Sequence, residues 1–123
     1  MALVRRYQDL EAWQQAMLLA ERCYKVTASF PREELFGLTS QLRRASVSIP
    51  SNVAEGHSRR TRPAYVYHVS LALGSQAEVE TQLELSRRLG FLSGEAFREI
   101  DRVVRPVGRL LYGLHRALVV EPV

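Results

Sequence analysis

Seven apolar residues near the end of the chain (Phe97, Ile100, Val104, Val107, Leu111, Leu114 and Leu118) are separated by alternating steps of three and four. A strand cannot use that spacing, because its side chains alternate faces with period two. On a helix the seven form one seam, the pattern of a coiled coil or bundle helix. Three earlier segments repeat the theme. In the first, Leu10, Trp13, Met17, Ala20, Tyr24 and Thr27 step by three and four, widened by Ala16, Leu19 and Cys23, with Asp9 placed as an N-cap and Phe30-Pro31 as the stop. The second opens in PREEL, where Glu33 and Glu34 suit the positive end of a helix dipole. Its stripe is Leu35, Leu38, Leu42, Ala45, Ile49, Asn52 and Gly56, running to about Arg59. The third opens with Pro63 at its first position, runs to Leu89 and meets Gly90 as a C-terminal cap. Ser93 is the N-cap expected for the fourth, with Pro106 bending it.

Four helices joined by short loops predict an all-α, antiparallel up-down four-helix bundle. The chain has 123 residues, 46% hydrophobic and 24% charged, which predicts one bundle domain over 1–123 with an ordered core of about 7–118. The final VVEPV is expected to fray. The single cysteine, Cys23, excludes an internal disulfide and a cysteine zinc cage. No apolar run approaches the roughly 20 residues that span a bilayer. The opening MALVRRYQDL lacks the apolar stretch of a secretory signal, so a cytoplasmic protein with no membrane partner is expected.

Residues 48–56, SIPSNVAEG, place a proline, a glycine and two polar side chains inside a helical pattern. Pro50 removes the amide that would bond the Ser46 carbonyl, which predicts a kink in the second helix. The kink redirects the last turns, with Glu55. Asn52 takes a core position. On the third helix Glu78 shares the face of Leu71 and Leu85, with Ser75 and Gln82 one turn away. A buried carboxylate needs a partner, and Arg43, Arg44 and Asn52 are the candidates. Arg43, Arg44, Pro50, Asn52, Glu55, Ser75, Glu78 and Gln82 thus define a polar joint between the second and third helices, where Ser48, Ser51, Gly56 and Gly74 let the backbones come close.

These two helices carry more apolar surface than one stripe requires. Val47 and Ala54 lie off the main stripe of the second. Val66, Leu73 and Ala77 form a second side of the third, and Ala64, Leu71, Leu85 and Leu89 a further one. Two explanations are open: the pair is central in the bundle, or copies of the chain cover it. The second makes Val47, Ala54, Val66, Leu73 and Ala77 a candidate oligomer interface.

At this point the chain resembles a known family. QLRRASVSIPSNVAEG at residues 41–56, DLEAWQQA at 9–16 and LALGSQAEVETQLELSRRLGFL at 71–92 are similar in order and spacing to the 23S rRNA-intervening-sequence proteins, over roughly residues 7–115. His57-Ser58-Arg59-Arg60 departs from the pattern, which often has an aromatic residue followed by an arginine there. The resemblance implies a small cytoplasmic all-α bundle that assembles into a ring, commonly a homopentamer, with no known catalysis; no cofactor is expected. It also implies similarity to the accessory protein of diversity-generating retroelements, which binds nucleic acid and a reverse transcriptase.

Net charge is +4 and the pI about 9.7. Lys25 is the only lysine, so the positive charge is arginine, which forks onto phosphate; codon usage in a GC-rich genome explains the same bias. Two basic features are candidate nucleic-acid contacts: His57, Arg59, Arg60 and Arg62 at the turn between the second and third helices, and Arg98, Arg102, Arg105, Arg109 and Arg116 along the fourth. Glu95, Glu99 and Asp101 lie beside that row and are able to pair with it. No aromatic residue is expected among these arginines, so contact to RNA or DNA backbone is favoured over base stacking.

The leading reading is a ring-forming, nucleic-acid-associated or scaffolding protein. The alternative is a protein-interaction adaptor without nucleic-acid binding. An enzyme is disfavoured: a di-metal bundle needs Glu-x-x-His motifs, and His57, His68 and His115 have no glutamate three residues before them. Ser48 and Ser51 lack a neighbouring base, and no catalytic or metal residue is assigned.

Overall fold

All four periodic segments form α-helices in the computed structural model, which describes residues 5–120. They are α1 (Glu11–Thr27), α2 (Leu38–Ser58), α3 (Arg62–Arg88) and α4 (Gly94–Val119), and no strand occurs among the described residues. The end of the VVEPV tail and the first four residues lie outside the described residues.

The later boundaries follow local chemistry. Thr61 and Ser93 cap α3 and α4 by accepting from Ala64 N (3.3 Å) and Ala96 N (3.1 Å). Gly90 carries φ +80°, the left-handed turn that ends α3. The first two helices start later than expected. Tyr7–Asp9 forms a 3-10 turn, so Leu10 precedes α1 where Asp9 was expected to cap it. Arg32–Glu34 forms another, and α2 begins at Leu38 rather than in PREEL. Glu34 still serves that helix from outside it, since the Leu38 amide donates to its Oε1 at 3.0 Å. This satisfies one of the orphan amides of the first turn.

α2 continues as one α-helix through the buried Pro50. Each helix packs on two others: α2 against α1 and α3, and α4 against α1 and α3. One buried cluster joins all four, with Leu19, Leu42, Ile49, Val79, Val107 and Leu111 fully enclosed. Each such side chain contributes about 1.5–3 kcal/mol by leaving water. The α4 seam is buried as its spacing requires, from Ile100 to Leu111. On α1 the buried face is rotated from the expected one. Ala12, Ala16, Leu19, Ala20, Cys23 and Thr27 go inside, while Met17 and Tyr24 stay 40% and 47% exposed. Met17 and Tyr24 instead line a groove beside α2.

Candidate functional surfaces

The α2–α3 contact is built from small side chains. A Cβ on Gly56 would lie 2.9 Å from His68 Cβ and 3.0 Å from the Tyr65 ring, so only glycine allows this approach. A hydrogen-bonded chain crosses the contact. Ser48 Oγ and Ser75 Oγ lie 2.8 Å apart. Asn52 Nδ2 donates to Ser48 O (2.9 Å) and Ser48 Oγ (3.0 Å). Its Oδ1 therefore accepts, and His68 Nδ1 donates to it at 3.1 Å. That leaves His68 Nε2 facing Glu55 Oε2 at 3.7 Å, and Glu55 is also bonded to Arg59. The Arg59 guanidinium holds the Glu55 carboxyl below its usual range, with His68 adding to the effect.

Only some of the residues expected at the α2–α3 joint lie on this chain of contacts. Ser75, Asn52 and Glu55 belong to it, and His68, which the sequence reading left out, is its centre. Arg43 does not join it. The Arg43 side chain donates to Thr27 Oγ1 at 2.9 Å and lies over the Tyr24 ring, tying α2 to α1. Glu78 is exposed rather than buried. It shares a polar cleft of about 340 Å³ with Arg44, Ser48, Ser75 and Gln82, and no ion pair joins it to Arg44 among the described residues. One helical step of 100° separates Arg43 from Arg44, which sends the two arginines to different neighbours.

On its other side α2 stands away from α1. Tyr7, Trp13, Met17 and Tyr24 face Val47, Pro50 and Ala54 across an open apolar groove of about 680 Å³. Glu21 is the one charged residue lining it. The candidate interface residues divide accordingly. Val47 and Ala54 line this groove, but Val66, Leu73 and Ala77 do not; Leu73 packs on the core and Ala77 is exposed on α3. Leu71, Leu85 and Leu89 remain 40–53% exposed along α3. Phe36, between the Arg32–Glu34 turn and α2, is 92% exposed.

The two basic features meet at one end of the bundle. Arg62 Nη1 donates to Val120 O at 3.3 Å, which brings the α2–α3 turn onto the end of α4. Arg59, Arg60 and Arg62 are exposed there; His57 is half-buried, its ring packed edge-on against Tyr65. All five arginines of the α4 row are exposed. Of the acids beside them, only Asp101 forms an ion pair among the described residues, with Arg105 at 2.6 Å. Arg105, Arg109 and Arg116 line a groove of about 640 Å³ together with Tyr112, while Arg98 and Arg102 lie outside it. Tyr112 corrects the expectation that no aromatic residue stands among these arginines.

Among the described residues no group of three or more His, Cys, Asp or Glu side chains is placed to hold a metal, and no helix is long and apolar enough to cross a membrane. Cys23 is buried, and burial pushes its thiol up to about 12.

Fold and surfaces together define a small all-α four-helix bundle. The chain belongs to the 23S rRNA-intervening sequence protein family, whose profile matches residues 8–113. It is also similar in structure to a Bacteroides thetaiotaomicron protein of unknown function from the S23 ribosomal protein family. That similarity has a TM-score of 0.76 at 22% identity and covers 85% of this chain and 98% of the other. At that identity the likeness speaks for the fold. No curated protein matches the chain.

Proposed function

We propose that this is a non-enzymatic, cytoplasmic bundle protein that assembles with copies of itself into a ring, a homopentamer by family resemblance. The ring carries nucleic acid on arginines that contact phosphate. The supporting observation is how the fold sorts its surface. α1 and α2 leave an apolar groove open, whereas Arg60, Arg62 and Arg116 gather where the α2–α3 turn meets α4. An open apolar groove of this kind favours a protein cover, and an arginine cluster favours phosphate. Repetition around a ring multiplies a modest patch through avidity.

Light scattering of the purified protein tests the assembly. A particle of several times 14.0 kDa is expected, and Val47→Asp is expected to reduce it toward the single-chain mass. A wild-type particle at 14.0 kDa would end the proposal of a ring. RNA and DNA affinity measured against salt tests the second half. A steep fall is expected, shallower in an Arg60→Ala/Arg62→Ala variant. The apolar groove also supports the adaptor reading, in which a different protein occupies it. Recovery of one protein partner after nuclease treatment, with no affinity for RNA or DNA at low salt, would favour that reading.

A further inference from the structure

The α4 groove has a feature that phosphate contact alone does not use. Arg105, Arg109, Tyr112 and Arg116 follow one another at steps of four, three and four, so they occupy an arc of about 60° on one side of the helix. They span about 16 Å along it. Tyr112 therefore stands between guanidinium groups within one groove. It is 61% exposed, and among the described residues no aromatic ring or guanidinium stacks on its ring. The groove is roomy beside that ring: Gly113 follows it, and a Cβ there would meet nothing within 4 Å. Gly108 lines the same groove, packed close over the Gln76 amide.

We propose that this groove binds single-stranded nucleic acid, stacking an unpaired base on Tyr112 while Arg109 and Arg116 hold the flanking phosphates. This rests on the nucleic-acid reading above and specifies its site. The charge distribution gives the site a direction. At the Arg105 end, Asp101 pairs with Arg105, and Glu80 lines the wall from α3. Both carboxylates repel phosphate. At the other end Arg109 and Arg116 have no ion-pair partner among the described residues. Beyond them lies the α2–α3 turn with Arg60 and Arg62. The backbone of the strand thus enters from the turn, passes Arg116 and Arg109, and leaves before Asp101. A duplex encloses its base faces and has no use for an exposed tyrosine ring; an unpaired base does.

The test uses the full-length protein and fluorescence anisotropy with three labelled probes: a short single-stranded RNA, the DNA of the same sequence, and the RNA duplex. The wild type is expected to prefer either single strand to the duplex. Tyr112→Ala is expected to weaken both single strands about tenfold, the scale of one lost base–aromatic stack, and to leave duplex binding unchanged. Tyr112→Phe keeps the ring face and is expected to bind as the wild type does. The Arg109→Ala/Arg116→Ala variant is expected to flatten the salt dependence for every probe. Exposure of these side chains means the variants are expected to keep the wild-type mass and circular dichroism, which are checked alongside. Unchanged single-strand affinity in Tyr112→Ala, with wild-type binding intact, overturns the groove and leaves the broader reading standing. Absence of binding to all three probes overturns both.

Discussion

α2 has two neighbours and treats them differently. Toward α3 it presents Ser48, Asn52 and Gly56; the backbones close in, and Ser48, Asn52, Ser75 and His68 are each hydrogen-bonded across the contact or along it. Toward α1 it presents Val47, Pro50 and Ala54 beneath Tyr7, Trp13, Met17 and Tyr24, and the space stays open. Apart from Val47, which directly precedes it, one nine-residue segment, SIPSNVAEG, supplies both faces. Small side chains permit close approach, and close approach then obliges hydrogen bonding, because an unpaired buried polar group costs about 1–3 kcal/mol. Large side chains do the reverse, holding the rim of the contact apart and leaving apolar surface for something else to cover. The α3 side is closed by polar contacts, and the α1 side leaves the apolar surface on which the proposed assembly rests.

The most damaging way to break the comparison is to widen the closed side. Gly56→Ala would put a methyl group 2.9 Å from His68 Cβ and 3.3 Å from the Tyr65 carbonyl, and backbone does not yield cheaply. We expect a loss of about 1–3 kcal/mol, at the upper end because two helices must separate. Chemical denaturation reads it, and a variant as stable as wild type would show that the helices are not in fact tightly set there. Asn52→Ala comes next. It removes the acceptor for His68 Nδ1 and a donor to Ser48 together. The expected cost is about 1–2 kcal/mol, less if water enters to take the place of the amide. On the open side, Met17→Ala should scarcely alter the fold of one chain, within about 0.5 kcal/mol. Its effect should fall on assembly, as a melting temperature that no longer rises with protein concentration.

Much of this was legible in sequence because period and caps are local properties. The α4 seam, Ser93, Gly90 and the small residues of SIPSNVAEG each declare their role within a few positions. The two helix starts were misplaced because a 3-10 turn and an α-helical turn use the same residue types, and Glu34 caps α2 from one turn outside it. His68 was missed for a different reason. Arg43, Arg44 and Asn52 were the expected partners of Glu78, but the group that needed a partner was the half-buried Asn52 amide itself. A usable signal was present: with Ser48 opposite Ser75, one turn on along α2 reaches Asn52 and two turns back along α3 reaches His68 on the same face. Tyr112 also lay in plain view at three and four residues from its arginines, outside a search confined to charge. Which apolar stripe of α1 and α3 faces inward was not legible, since several stripes were equally apolar and only packing against neighbours selects one.

Cys23 sharpens the contrast at smaller scale, because it reports on whether the α1–α2 contact opens beneath its groove. Buried, with its thiol pushed up to about 12, it carries almost no thiolate near neutral pH. We expect no reaction with a thiol reagent at pH 8 in the folded protein and full reaction after unfolding. Rapid labelling under native conditions would show that α1 swings away from α2 and that the two sides differ in mobility as well as in width.

The smallest effect distinguishes a carboxylate attached to the joint from one that is not. Glu55 and Glu84 are both held below the ordinary value of 4.5 by arginines on their own helix or just past its end: Arg59 for Glu55, Arg87 and Arg88 for Glu84, which falls to about 2. A carboxyl depressed in the folded state adds stability that is present above 4.5 and is lost as pH falls through its folded value. For Glu84 that window runs from about 4.5 down to about 2. Glu84→Gln should remove its share of the acid-induced loss and do nothing at neutral pH beyond the small effect of an exposed ion pair. Glu55→Gln should remove an acid-dependent share of its own, and it also changes what faces His68 Nε2, 3.7 Å away. The His68 ring resonances in an NMR titration should therefore shift in Glu55→Gln and stay in place in Glu84→Gln. Equal behaviour of the two variants would mean that the hydrogen-bonded chain between α2 and α3 ends at His68 and that Glu55 belongs to the outer surface.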